Sequence, residues 1–186
     1  TGFAHSTMDP ENLIGMVGGP PMVIKLIEGT QGIGVVLAET QRTAQSVLDA
    51  FSGLKADMIV QEFVSDANGE DIRCFVVGDK IVASMKRIAK EGEFRANIHR
   101  GATAEPVTLI EAEKEMALHA ARELKLSVAG VDIIRGANGS MVLEVNSSPG
   151  MEGIERATSI NIAAKVIEFA EEHYPHGVRS VDEVHI

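Results

Sequence analysis

The chain has no tryptophan and one tyrosine, so it has no row of rings on which the bases of a single strand could stack. Its single cysteine, Cys74, cannot close an internal disulfide, which points to a reducing compartment, the cytoplasm. No apolar run is long enough to span a bilayer, and no signal-peptide pattern is present. Without an export signal, the Asn146-Ser147-Ser148 glycosylation triplet carries no weight. Bases are scarce: 17 Lys and Arg face 27 Asp and Glu, a net charge of −10, which argues against a general nucleic-acid surface. Repeats and low-complexity segments are absent. What remains is 186 residues, 45% of them hydrophobic, enough for one domain or two small lobes with a real core. The chain starts at Thr1 rather than Met, as a processed chain or a fragment would.

One stretch organises the rest. Two apolar runs, Ala129–Arg135 and Met141–Asn146, flank Gly136-Ala137-Asn138-Gly139-Ser140 and read as a β-hairpin. Each run holds groups that a buried strand should avoid: Asp132 in the first, Glu144 and Asn146 in the second. Glu144 and Asn146 are two apart and share a face. A two-residue Asn138-Gly139 turn would send Asp132 to the opposite face. A three-residue loop, Ala137-Asn138-Gly139, pairs Asp132 with Glu144, and we expect that loop. The three side chains then form an all-oxygen cluster suited to a hard cation, Mg²⁺ or Mn²⁺. The alternative use of Asp132 and Glu144 is pairing with arginines on a solvated face.

Ahead of this hairpin, Asp9 and Pro10 open a short helix with Leu13, Ile14 and Val17 on its apolar side. Met22–Ile27 reads as a strand with Lys25 in its middle, where a lysine needs an anion or must reach the surface. The turn Glu28-Gly29-Thr30-Gln31-Gly32-Ile33-Gly34 and the strand Val35–Ala38 follow. This order, lysine before glycines and no helix after them, is neither a Walker A loop nor a dinucleotide fingerprint. A glycine-rich hairpin can still offer backbone N–H groups to phosphates and fold over them. Thr40 caps a helix to about Phe51, and Met58–Val64 is the next strand, with Gln61-Glu62-Phe63 fit for the edge of an adenine.

Asp71–Val77 and Lys80–Arg87 form a second hairpin about Gly78-Asp79. The stretch from Ala89 to Pro106 reads as a long loop, which favours a functional role, and carries Arg95, Asn97, His99 and Arg100. Its arginines, with Arg73 and Arg87, read as an anion clamp. Glu111–Leu126 is expected as an amphipathic helix, with Ala117, Ala120, Ala121 and Leu124 inside and Glu113 outside. Gly153–Tyr174 is expected to be helical, with Ile160, Ala163, Ala164, Ile167 and Ala170 buried. Pro175–Ile186 is polar, and its histidines are too scattered for a metal site.

Lys25, the 28–34 loop, Gln61-Glu62-Phe63, Asp71-Ile72-Arg73, Asp132, Glu144 and Asn146-Ser147-Ser148-Pro149-Gly150 together resemble the ATP-grasp carboxylate–amine ligases. The wording of residues 28–34 and of Phe94-Arg95-Ala96-Asn97-Ile98-His99-Arg100-Gly101 is most similar to the RimK-like glutamate ligases of that family. The resemblance runs to about Tyr174. It implies an α+β ATP-grasp fold of two lobes, each an antiparallel sheet packed by helices, with the nucleotide between them. Residues 1–64 would be the central lobe with the glycine-rich lid, and 65–186 the C-terminal lobe with the metal site. The family's N-terminal domain and a further nucleotide-contacting lysine are not in this sequence.

By the same resemblance, Lys25, Glu28, Gly29, Thr30, Gln31, Gly32, Glu62, Phe63, Asp71, Arg95 and Asn97 would bind ATP. Asp132, Glu144 and Asn146 would hold two Mg²⁺ or Mn²⁺ ions. Arg95, Asn97 and Arg100 would act at the reacting groups, and Arg73, Arg87 and Arg100 would hold substrate carboxylates. The implied activity is ATP-dependent activation of a carboxylate as an acylphosphate and its joining to the amine of glutamate, with the C-terminus of ribosomal protein S6 as acceptor. Homo-oligomerisation stays open. The rivals are another ATP-grasp ligase, glutathione synthetase-like or lysine-biosynthesis-like, a nucleotide-binding module without turnover, and a purely structural α/β protein.

Overall fold

In the computed structural model, which describes residues 1–5, 7–28 and 33–173, hydrophobic alternation builds two separate sheets, each with its own core. One compact unit comprises Thr1–Gly69 and Ala89–Ala102, the other Glu70–Ile88 and the chain from Thr103 on. The boundary expected after Val64 thus falls after Gly69, and the 89–102 segment belongs to the first unit rather than the second.

The first unit runs β1 (Gly2–Ala4), α1 (Pro10–Met16), β2 (Met22–Leu26), β3 (Val35–Ala38), α2 (Gln41–Gly53) and β4 (Met58–Glu62). Asp9 starts α1, its carboxylate accepting from the Asn12 N–H, with Pro10 in the first turn. Thr40 does the same for α2 through the Thr43 N–H. The sheet order is β1-β4-β2-β3, every pair antiparallel. Alternation along β2 sends Met22 and Ile24 into a core with Leu13, Ile14, Ala44, Leu48, Met58 and Val60. Lys25 therefore falls on the other face.

The second unit runs β5 (Glu70–Val77), β6 (Lys80–Ile88), β7 (Thr103–Pro106), α3 (Glu111–Glu123), β8 (Val128–Gly136), β9 (Gly139–Asn146), α4 (Glu152–Thr158) and α5 (Ile162–His173). Its antiparallel sheet has the order β7-β6-β5-β8-β9. Ile72, Cys74, Val131 and Ile133 pack on Ala117 and Ala121 of α3. Phe75, Val77, Ala83 and Met85 face the opposite way, onto Ile154 of α4 and Ile162 of α5. Burial pushes the Cys74 thiol up to about 12, which makes it a packing residue rather than a nucleophile.

Several expectations are corrected. Asp132 does stand opposite Glu144, but by another route. The turn is Ala137-Asn138, with Gly136 paired to Gly139, and a β-bulge that leaves Leu143 unpaired restores the facing of the acids. Gly139 takes a φ of 113°, a backbone open to glycine alone at little cost. The helical region after Gly153 is two helices, because Ser159 adopts a left-handed conformation (φ 58°). That break rotates the buried stripe: Ile162 is buried, Val166 and Phe169 pack against its cluster, and Ile167 is 58% exposed. α3 ends at Glu123, leaving Leu124 exposed. The expected loop from Ala89 to Pro106 contains the short strand β7. Strand β1 was not anticipated, being too short for its period to register. The polar stretch 175–186 and the lid residues 29–32 lie outside the described residues.

Glu113 is the largest departure, since it is fully buried rather than outside. Its carboxylate accepts from Arg135 Nε and Nη2 at 2.7 and 2.8 Å, from Ser140 Oγ at 2.7 Å and from the Ile110 N–H at 3.2 Å. It thereby ties α3 to both strands of the β8–β9 hairpin. The Arg135 hydrogen bonds, outweighing burial, hold its pKa down at about 2. A carboxylate depressed in the folded state stabilises above its unfolded pKa and loses that contribution as pH falls through the folded value. Glu113→Gln should therefore cost about 1–3 kcal/mol at pH 7 in urea unfolding, and the gap to the native chain should close between the ordinary glutamate value of 4.5 and about pH 2.

Candidate functional site

The cross-strand register of the second unit places five charged groups on one face. Asp71 stands opposite Arg87 across β5 and β6, Arg73 opposite Asp132 across β5 and β8, and Asp132 opposite Glu144 across β8 and β9. Asp132 is completely buried. Arg73 grips it side-on, Nε to Oδ1 at 2.7 Å and Nη2 to Oδ2 at 2.6 Å. Arg87 Nη2 donates to the same Oδ2 at 2.7 Å. Arg87 also holds Asp71, Nε to Oδ1 at 2.6 Å and Nη2 to Oδ2 at 2.8 Å. At the open end of this row, Glu144 Oε1 lies 4.0 Å from Arg73 Nη2 and accepts from Asn146 Nδ2 at 3.2 Å.

Burial would drive Asp132 towards neutrality, but the two guanidiniums outweigh it and hold its pKa below the ordinary carboxylate range. Burial pushes Asp71 up, against the pull of Arg87. Asp132 is paired with arginines, though buried rather than on a solvated face as that alternative expects, and it shares a face with Glu144 and Asn146. Among the described residues no three His, Cys, Asp or Glu side chains gather at metal-ligand spacing. The set is two carboxylates and an amide, all oxygen donors, which fits a hard cation that keeps several waters.

Glycine at position 130 keeps the neighbouring loop in place. A Cβ there would lie 2.7 Å from Pro149 Cβ and 3.6 Å from Arg73 Nε. The strand thus lets the Ser147-Ser148-Pro149-Gly150 segment approach its backbone beside the charged row.

The remaining candidates belong to the first unit. Lys25, opposite Ile59 and Val35, makes no ion pair among the described residues, although the chain carries an excess of ten negative charges. Glu62 ends β4, exposed, and the Phe63 ring meets Phe94 edge-on at 6.1 Å between centroids. Arg95 lies over the Phe94 ring at 5.0 Å, and its Nη1 donates to the Val35 carbonyl at the start of β3, 3.2 Å away. Asn97 begins the 3₁₀ turn 98–100. Glu28 is exposed; Gly29, Thr30, Gln31 and Gly32 lie outside the described residues.

A residue the sequence reading passed over organises this group. Glu93 accepts from Arg95 Nε at 2.9 Å and Nη2 at 2.8 Å, and from the N–H groups of Phe94 and Arg95. Arg100 Nη1 lies 3.7 Å from it. The Arg95 hydrogen bonds hold Glu93 down at about 2. The available signal was an acid two residues ahead of an arginine inside a long loop. By contrast, a recess of about 460 Å³ beside Phe169 and His173 holds none of the candidates. Its bases Arg122, Lys125 and His173 sit where α3 and α5 end, as helix dipoles favour.

A family model described as RimK-like ATP-grasp domain matches residues 1–170. The probable alpha-L-glutamate ligase of Alkalilimnicola ehrlichii is 59% identical over 177 residues, 95% of this chain and 59% of that protein. The ribosomal protein bS6–L-glutamate ligase of Escherichia fergusonii is 58% identical over 173 residues, 93% of this chain and 58% of that protein. The chain therefore spans less than two thirds of these curated relatives. Among solved structures, the ATP-grasp ligase PsnB complexed with minimal precursor, Mg and ADP matches 87% of this chain and 50% of its own, with a TM-score of 0.65 and 22% identity. D-alanine–D-alanine ligase from Bacillus anthracis complexed with ATP matches 91% and 57%, with a TM-score of 0.65 and 20% identity. At such identities the likeness shows the ATP-grasp fold.

Gly130→Ala should force Pro149 and its segment outward. The expected result is a loss of roughly 1–3 kcal/mol in urea unfolding, with amide shifts in NMR spectra concentrated at residues 147–150.

Proposed function

The chain belongs to the RimK-like ATP-grasp family, and we propose that it is the nucleotide- and metal-holding part of an ATP-dependent glutamate ligase. The observation that carries this reading is the row Asp71–Arg87–Asp132–Arg73–Glu144: carboxylates and guanidiniums interleaved on one sheet face, ending in an all-oxygen group. Two Mg²⁺ or Mn²⁺ ions on Asp132, Glu144 and Asn146 would neutralise charge on the transferring phosphoryl group. Lys25, without an ion pair among the described residues, is suited to the α and β phosphates, and the glycine-rich residues 28–32 to covering the triphosphate. Glu62 and Phe63 would hold the adenine, and Asp71 the ribose.

The reaction has two steps. A substrate carboxylate takes the γ-phosphoryl group, leaving ADP. The amine of glutamate then attacks the acylphosphate, loses a proton and expels phosphate, leaving an amide. Arg95, Asn97 and Arg100 would stabilise charge on the phosphates and on the oxyanion formed in the second step. Arg73 and Arg87 turn their Nε–Nη2 edges to Asp132 and Asp71, so a substrate carboxylate would meet the Nη1 edges. The relatives named for ribosomal protein bS6 favour the C-terminus of that protein as acceptor, and the absence of a membrane-length apolar helix among the described residues is compatible with it.

Incubation of the full-length protein with ATP, Mg²⁺, glutamate and S6 should release ADP and add multiples of a glutamyl residue to S6, read by mass spectrometry. Glu144→Ala should lower metal-dependent ADP release at least 100-fold while the melting curve stays cooperative. Undiminished turnover in that variant overturns the metal assignment. ATP binding without glutamate-dependent ADP release would instead leave a nucleotide-binding module.

A further inference from the structure

We propose that Arg73 is the counter-ion of the metal carboxylates in the cation-free protein: its guanidinium stands on the oxygens a divalent cation takes, and yields when the cation binds. This rests on the metal assignment above and goes beyond it.

Asp132 Oδ1 accepts from Arg73, and Oδ2 accepts from both Arg73 and Arg87. A carboxylate offers about four acceptor positions, and three are taken. The same Arg73 nitrogen that donates to Oδ2 is the group 4.0 Å from Glu144 Oε1, so it lies between the two carboxylates expected to share the ion. Mg²⁺ requires oxygens at roughly 2.0–2.1 Å in near-ideal octahedral geometry. A guanidinium hydrogen-bonded to those oxygens both fills their lone pairs and repels the incoming charge. The two cations compete for one seat.

Of the two arginines, Arg73 is the one placed to yield. Arg87 is held by a second carboxylate, with two hydrogen bonds to Asp71 beside its one to Asp132, and is the more deeply buried. Arg73 has no partner among the described residues other than Asp132 and Glu144, and its side chain is twice as exposed, 14% against 7%. Its Nε lies beside Gly130, where the missing Cβ leaves the neighbouring backbone smooth. Arg87 then remains as the fixed support of Asp132. The fork released from Asp132 stays on the same face, so that in the cation-loaded protein it, and not the Nη1 edge alone, is open to a substrate carboxylate. Cation loading and arming of the carboxylate site become one event.

The proposal predicts an unusual sign. Removing a ligand-side residue normally weakens metal binding, whereas Arg73→Gln should strengthen it. In electron paramagnetic resonance titrations of the full-length protein without nucleotide, Arg73→Gln should bind Mn²⁺ about 3- to 10-fold more tightly than the native chain, and Asp132→Asn should bind it more weakly. Arg73→Lys, which keeps the charge but loses the fork, should fall between the native chain and Arg73→Gln. Equal or weaker Mn²⁺ binding by Arg73→Gln, with native binding intact, overturns the counter-ion role and leaves the ligase reading standing. Absence of Mn²⁺ binding in the native chain overturns both. Should the variants fail to fold, the native protein still decides. The arginine Nε–H resonance of Arg73 should lose its hydrogen-bonded shift on titration with Mg²⁺, and an unmoved resonance at saturating Mg²⁺ overturns the proposal.

Discussion

A carboxylate with no access to water must be paired or give up its charge, and the second unit is arranged around one that does neither cheaply. Asp132 keeps its charge because two guanidiniums reach it from neighbouring strands. That fixes more than one side chain. Arg73 must lie directly across from Asp132, and Arg87 across from Asp71, so the register of β5 against both β6 and β8 is set by charge as well as by apolar alternation. Buried ion pairs are poor sources of stability, since apolar residues of the same volume often hold a core as well or better. Such a row is better understood as the cost of keeping charged oxygens where chemistry needs them.

The apolar alternation and capping residues were legible in the sequence because they are local. Asp9 and Thr40 begin helices by bonding to N–H groups three residues on, and β2 shows its apolar character and its one charged position in the order Met-Val-Ile-Lys. The pairing of Asp132 with Glu144 was legible as well, but its cause was not. Loop length was invoked, whereas an unpaired residue within β9 does the work. What could not be read were side chains whose partners lie far along the chain. Glu113 looked solvent-facing on its helix, and only Arg135 and Ser140, 22 and 27 positions away, make its burial affordable. Arg73 and Arg87 read as free clamps, because nothing in a linear sequence says that Asp132 and Asp71 already occupy one edge of each.

The family likeness and the charges support each other at different levels. Relatives near 58% identity over this segment carry ligase names, while structures near 20% share only the way the chain is folded. Between those levels stand features that neither a name nor a fold supplies: Lys25, which makes no ion pair among the described residues of an acidic chain, and Glu93 setting the direction of Arg95. These are local solutions to placing positive charge where an anion is expected.

The bulge at Leu143 splits the terminal hairpin into two mechanically distinct halves. Beyond it, pairing is dictated by the turn at Ala137-Asn138; inside it, by the match of Asp132 to Glu144. The turn can therefore be exchanged without dragging the oxygen-bearing side chains off their common face, so long as Arg135 and Ser140 keep their hold on Glu113. A single surplus residue works as a slip joint, insulating the part of the ribbon that must not move from the part exposed to evolutionary wear.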